Sequence, residues 1–329
     1  VGADDALWVA WHDHRNSTPP NWIDNLEIYI DSMPPGGAFS ADDVRLTITS
    51  GAGAGDNGFT PKLALHPSGR LSLSWYDFHN DGEISDLFMM NSGPDGRLAP
   101  TSTVNDHRLT DLTARGGSPA FTVQDMAVDA NETRHLVWAG GAGAGVDLYY
   151  ASVPLGETVA TPQIIDAGGT DFFDPPRVAV APDGDVWIAY GDDSTETGNE
   201  EVVLLRRLGG VGAFQKYVVV QGPGRNFAPD VEIDAVGRVH LVWIEEGAET
   251  HVNYGLFSPS AARSIERVRI TDRSATWSRP SLALDPGGAH VLAVFEESLG
   301  QASGDIWFAT TWPLDPRNAV RRAHWSRYR

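Results

Sequence analysis

The chain contains no cysteine, which excludes a disulfide framework, a thiolate metal site and a cysteine nucleophile. Cations are scarce as well: 24 Lys+Arg stand against 44 Asp+Glu, a formal net charge of -20. Such a surface lacks the basic field that phosphate backbones need, so DNA and RNA are set aside as partners. Long apolar runs are missing too. None approaches the roughly 20 residues that span a bilayer, and no basic segment followed by an apolar stretch opens the chain, so no membrane partner is expected. No Gly-x-Ser-x-Gly elbow, phosphate loop or dinucleotide fingerprint sits between a strand and a helix. The "GAGAG" runs at Gly51 and Gly141 read as loop because no helical pattern follows them.

What is present is a repeat. "PKLALHPSGRLSLSWYD" from Pro61 returns as "PRVAVAPDGDVWIAYGD" from Pro176, "PDVEIDAVGRVHLVWIEE" from Pro229 and "PSLALDPGGAHVLAVFEE" from Pro280, with a weaker copy, "QDMAVDANETRHLVWAG", from Gln124. Each copy reads as strand, tight turn, strand, the turn chemistry coming from Asp, Pro, Asn and Gly. A polar loop and a third strand follow ("NLEIYIDS", "DLFMMNS", "DLYYASV", "EVVLLRR"), then a fourth ("DDVRLTI", "IERVRIT"). A period of about 50 to 65 residues without helical spacing is the pattern of propeller blades. The expected fold is all-β: one six-bladed β-propeller over residues 1–329, with four-stranded antiparallel blades near 1–58, 59–121, 122–174, 175–227, 228–278 and 279–329.

"LWVAWHD" from Leu7 aligns with "LSLSWYD" and is a second strand, so blade 1 lacks a first strand. Residues before Val1 supply it, blade 1 has three strands, or the tail "NAVRRAHWSRYR" contributes; the pattern leaves these open. A start at Val1 rather than Met, with the acidic composition, sets the expectation of a secreted or periplasmic protein. A monomer is expected.

The order of a "P-x-L-A-L-D-P-x-G" turn, an "H-L-V-W" strand and a "V-R-L-T" strand resembles the sialidase-like propellers with BNR (Asp-box) repeats, across nearly the whole chain. The Asp-box is present in fragments: Ser92, Asp95 and Gly96 in blade 2, Gly36 to Phe39, and Gly212 to Phe214. No Arg-Ile-Pro motif stands near the start. The resemblance implies an exported propeller that binds and cleaves a glycan, of glycosidase or lyase type, with an acidic group on the ligand. Two rival readings stay open: a non-catalytic lectin or adhesion propeller, and a propeller enzyme acting on a small molecule other than sugar.

In a propeller the loops joining fourth to first strands and second to third strands form the ligand face. Residues just after the second strands are Asp13, Asp77, Gly140, Asp192, Glu245 and Glu296; an acid repeated at one position reads first as a loop cap. In the first strands Glu232 stands where other blades carry Ala64, Ala127, Ala179 and Ala283. A buried carboxylate is costly unless paired or neutral. Two residues before it lies Asp230, at the position of Lys62, Asp125, Arg177 and Ser281. Glu232 and Asp230 are therefore the expected catalytic pair, with His12 in a proton or hydrogen-bond role, because glycan cleavage uses carboxyl groups in unlike environments.

Substrate contacts are expected from His14, Arg15, His79, Asp125, Arg177, Arg225, Phe227, Trp277 and Arg279, since rings suit sugar faces and arginine forks suit anions. Phe59, Arg115, Phe121, Phe172 and Phe173 lie in the same inter-blade loops. His135, His240 and His290 recur at the start of second strands and read as structural. His12 and His14 share one face of a strand, a spacing that also suits a metal, but a third ligand would have to be His79 or Asp77. No cofactor and no catalytic metal is expected; a structural calcium ion stays open.

Overall fold

The computed structural model describes residues 6–15, 26–40, 42–47, 59–77, 86–93, 95–100, 107–110, 123–140, 146–158, 161–170, 174–193, 199–258, 265–271, 277, 279–285, 290–298, 304–310 and 321–325. The fold is an all-β, six-bladed β-propeller of antiparallel blades. Two compact units divide the chain, Val1–Ala167 and Gly168–Arg329.

In the first unit, blade 1 has three strands, β1 (Leu7–Asp13), β2 (Glu27–Met33) and β3 (Val44–Arg45). Blade 2 has four: β4 (Phe59–Leu65), β5 (Leu71–Asp77), β6 (Asp86–Asn91) and β7 (His107–Arg108). Blade 3 comprises β8 (Val123–Val128), β9 (Arg134–Gly140), β10 (Val146–Val153) and β11 (Gln163–Thr170). In the second unit, blade 4 comprises β12 (Arg177–Val180), β13 (Val186–Asp192), β14 (Glu201–Arg207) and β15 (Gln215–Val220). Blade 5 holds β16 (Arg225–Ile233), β17 (Val239–Glu246), β18 (Thr250–Phe257) and β19 (Ile265–Arg269). Blade 6 is built from β20 (Ser281–Leu284), β21 (Val291–Ser298), β22 (Gly304–Thr310) and β23 (Arg321–Trp325). Of the residues in the tail, Arg321–Trp325 pair with β22 and so complete blade 6 rather than blade 1.

Second strands read as continuous apolar runs because they are buried between the outer strands of their blade and, within each unit, against the next blade. β5, β9 and β13 are buried along their whole length, and Trp75, Trp138, Trp187 and Trp243 are among the largest fully buried side chains.

The first-to-second strand turns carry a second device. In blades 3 and 5 a turn Asp, a second-strand His and a third-strand Tyr form a chain. Asp129 Oδ2 lies 3.4 Å from His135 Nε2, and His135 Nδ1 lies 2.6 Å from the Tyr150 hydroxyl. Asp234, His240 and Tyr254 repeat it at 3.3 and 2.7 Å. Burial pushes His240 below the usual histidine range against the pull of Asp234, and it raises Tyr254 to about 12. His135 and His240 are thus structural members of the repeat.

The recurring "V-R-x-T" strand has a comparable job. Glu27 is fully buried, its carboxylate taken by Arg45 and by the Thr47 hydroxyl at 2.6 Å. Asp86 repeats this with Arg108 and with Thr110 at 2.9 Å. In blade 5 His251 replaces the acid and contacts Thr271 at 3.1 Å.

Candidate functional site

One carboxyl group breaks this pattern. Glu200 sits one residue before Glu201, the position that pairs with Asp192 as Glu27 pairs with Asp13, so it is an extra acid where blades 1, 2, 3 and 5 carry Leu26, Ser85, Val146 and Thr250. Pro175 and Pro176 follow Asp174 and deny it a helix, delivering the chain in extended form to β12. The backbone then sews the blade 4 loop to the start of β16. Glu200 N donates to Gly224 O at 3.3 Å, and Asn226 N donates back to Glu200 O at 2.8 Å. Gly224 has φ +100°, and a Cβ there would collide with the Glu246 carbonyl, so only glycine fits.

These constraints bring together Asp174, Glu200, Arg225 and Phe227. Glu200 is 2% exposed and Asp174 6%. Arg225 Nε donates to Glu200 Oε2 at 3.0 Å, its Nη2 lies 3.0 Å from the same oxygen, and its Nη1 reaches Glu246 Oε2 at 3.4 Å. The guanidinium lies 4.6 Å from the centre of the Phe227 ring. Asp174 Oδ2 accepts the Ala228 N–H at 2.8 Å. Glu200 Oε1 is buried with no donor facing it; it lies above Gly191, where an added Cβ would strike it and would also come within 3.3 Å of Asp174 Oδ2.

Burial, then the neighbouring Asp174 charge and hydrogen bond, push Glu200 up to about 8, with Arg225 opposing. Glu200 is therefore a carboxylic acid at neutral pH, and its proton, shared with Asp174, supplies the donor that Oε1 otherwise lacks. The two carboxyl groups are hydrogen-bonded neighbours, closer than the separation of ~5 Å or more found where two carboxyl groups flank a glycosidic bond. They form one proton-holding unit. Arg225, whose side chain is 44% exposed, is its solvent-facing part.

The residues singled out in the sequence fall in different places. Asp230 is buried and committed: Oδ1 accepts the Val231 N–H at 3.1 Å and lies 3.5 Å from Arg177 Nε, and Oδ2 accepts the Leu282 N–H at 2.7 Å. Lys62 and Asp125 make the corresponding ion pair between blades 2 and 3, at 3.2 Å. Glu232 is only half-buried, against the burial expected of its strand. It pairs with His240 near the hairpin end, seven residues and roughly 20 Å of strand from Arg225, so the two do not share a site.

Trp277 lies in the core. It is buried, donates to Thr250 O at 3.1 Å and meets Phe295 edge-on at 5.5 Å, because its ring fills the core shared by blades 5 and 6. Arg279 is exposed at the entry to β20. Arg15 forks onto Asp13 at 2.6 and 2.9 Å, reaches Asp43 and lies over Tyr29 at 4.2 Å. His14 is exposed. His12 Nδ1 accepts the Thr60 N–H at 3.3 Å. His79, Arg115, Phe121, Phe172, Phe173 and the "GAGAG" runs lie outside the described residues. Among the described residues no group of three or more His, Asp or Glu side chains is placed to hold a metal ion.

The acids after the second strands have local partners: Asp13 with Arg15, Asp77 with Trp75 Nε1 at 3.3 Å, Asp192 with Lys216 at 2.7 Å, and Glu245 with Asn253 and Arg267. Arg225 and Phe227 were legible from their loop. Asp174 and Glu200 were not singled out. Their one sequence signal is Gly191, which stands where His12 and Tyr76 stand in blades 1 and 2 and leaves room for a carboxyl group.

No family model matches this chain, and no curated protein matches it. Solved structures share its fold. A Dyadobacter fermentans protein of unknown function superposes with a TM-score of 0.61 at 11% identity, covering 94% of this chain and 91% of that one. A polysaccharide lyase, the PL25 ulvan lyase bound to -[GlcA(1-4)Rha3S]-, gives 0.57 at 12%, covering 90% and 77%. A K499G mutant of the sialidase NanB from Streptococcus pneumoniae gives 0.54 at 10%, covering 90% of this chain and 64% of that one. The propeller class expected from the repeats, shared with a sialidase, is the one observed.

Proposed function

We propose that this propeller binds and cleaves a glycan carrying an acidic group, at the Asp174–Glu200–Arg225 cluster. The observation that carries the reading is a fully buried carboxyl group, pushed up to about 8 by burial and by Asp174, directly behind an exposed guanidinium. Because Glu200 is neutral, it holds Arg225 only as a hydrogen-bond acceptor, and Glu246 meets the same guanidinium at the wet rim, where pairing is worth little. A uronate or sulfate can therefore take the Arg225 fork. Its departure from Oε2 uncovers Glu200, whose proton goes to the leaving glycosidic oxygen as water adds to the anomeric carbon and gives its own proton to solvent; the Asp174 charge, which opposes any charge on Glu200 until that proton leaves, makes Glu200 a shared store of the proton rather than a free carboxylate. Phe227 supplies an apolar face for a sugar ring. That fold relatives include a sialidase and a lyase bound to a uronate-containing glycan supports the substrate class. Export fits this reading.

The test is turnover of uronate-containing and sulfated oligosaccharides by the native protein and two variants. Glu200→Gln keeps the shape and removes the transferable proton, and is expected to lower kcat by about 10²–10⁴-fold with KM little changed. Arg225→Ala is expected to raise KM for the acidic substrate more than for a neutral analogue. Full activity in a folded Glu200→Gln variant would overturn the assignment. Saturable acidic-glycan binding without product in the native protein would favour the lectin reading.

A further inference from the structure

The backbone strain at Ala228 has a twin in the first unit. Thr60 (φ +45°) and Ala228 (φ +50°) are two of the three non-glycine residues with positive φ among those described. Each follows a phenylalanine, precedes a proline and sits where the strand register slips, between Phe59 and Lys62 in β4 and between Phe227 and Asp230 in β16. Such strain persists only where the surroundings over-determine it, and it gathers at binding sites. At Ala228 the N–H turns onto Asp174; at Thr60 it turns onto His12. The first unit thus has the same device with different chemistry around it.

We propose that His12, Phe59 and Tyr76 form a separate binding site for a neutral sugar residue. Phe59 and Tyr76 are stacked, their ring centres 5.0 Å apart and planes 11° from parallel, and the imidazole of His12 is tilted 60° to Phe59 at 6.0 Å. Because Nδ1 accepts the Thr60 N–H, the proton of the neutral ring is on Nε2, which makes it a donor on an exposed side chain. Partial desolvation of the imidazole, whose side chain is still open to solvent, and the adjacent His14 lower the His12 pKa against the pull of Asp13, which keeps the ring neutral at neutral pH. The Thr60 hydroxyl is buried without a partner. The Thr60 carbonyl is held by Gln124 Nε2 at 3.0 Å, and Gln124 is itself fixed by the Ser74 hydroxyl at 2.7 Å. The aromatic wall is therefore set before any ligand arrives.

Phe59, half-buried and backed by the buried Tyr76 ring, beside a neutral N–H donor matches the apolar face and hydroxyls of a pyranose or furanose. The nearby cations do not invite an anion: Lys62 is paired with Asp125, and Arg15 with Asp13 and Asp43. A nucleotide also stacks, but the net charge of -20 opposes its phosphates.

The experiment is titration of the whole chain with three neutral disaccharides, arabinobiose, cellobiose and lactose, followed by ligand-observed NMR and by the His12 imidazole resonances. Binding in the millimolar range is expected for at least one. Phe59→Leu, which keeps the apolar volume, and His12→Ala are each expected to weaken it about tenfold. His12→Asn, which retains both an acceptor and a donor, restores part of the loss. Arg225→Ala leaves this binding in place, so failure here is separable from failure at the acidic-glycan site. The proposal is overturned if none of the three sugars binds saturably, if Phe59→Leu and His12→Ala change nothing in folded protein, or if Arg225→Ala abolishes the binding as well.

Discussion

Glu200 is where burial and chemistry meet in a single side chain, and its linkage to stability can be measured apart from any substrate. Its folded-state pKa, about 8, lies above the unfolded value of 4.5. The folded protein therefore holds an extra proton, and the associated stability is complete below pH 4.5 and lost as pH rises through 8. Glu200→Gln, neutral throughout, is expected to flatten this decline, and its amide can donate to Asp174; melting temperatures of both proteins across pH 5 to 9 will show it. Activity should fall over the same upper range, with an apparent pKa near 8, because the proton to be transferred is gone. The neighbouring loop composition pointed to Arg225 and Phe227 at this site. Asp174 and Glu200 escaped because nothing local marks a carboxyl group as buried; that depends on Gly191, on the other side of the blade 4 loop.

Recurring sequence phrases translate directly into devices at the scale of strands and turns. The Asp–His–Tyr chains pin the hairpins of blades 3 and 5, so Tyr254→Phe, which leaves the buried His240 Nδ1 without its partner, is expected to cost about 1–3 kcal/mol in urea unfolding. The pKa of His240 is lowered by burial, so its contribution is present above pH 6.5 and is lost as pH falls below that value. This slope is opposite in sign to that of Glu200, and together they place the stability maximum on the mildly acidic to neutral side. The bulge before Pro229 makes a further case. Ala228→Gly relieves a positive φ that an L-residue adopts at a cost of about 1–2 kcal/mol, and should leave the melting temperature unchanged or higher, since the added backbone freedom of glycine offsets part of the gain. Strand identity was plain from the phrases themselves. The slip of register in β4 and β16 was not, since an X-Pro step reads as ordinary extended chain.

For the molecule as a whole, the dominant long-range term is its charge of -20. Self-repulsion of that size is screened by salt, so raising ionic strength from a few millimolar to physiological levels is expected to raise the melting temperature of the native protein; a constant value would mean that the excess acids lie too far apart to repel one another. What the sequence determined alone was the architecture: turn residues at fixed offsets, apolar second strands and a period near one blade leave few other ways to bury so many β-formers. It also determined which histidines and acids belong to the repeat, because a residue that returns at one position in several blades serves what the blades share. Only the tertiary structure decided which carboxyl group is chemically set apart. Asp230 and Glu232 are conspicuous in sequence, yet one is spent on the Leu282 N–H and Arg177 and the other is half-exposed near the hairpin. Glu200 is unremarkable in sequence and is left protonated by its surroundings, for the physical reason that a pKa is set by neighbours across space, from Asp174, Gly191 and Arg225, which no single stretch of chain contains.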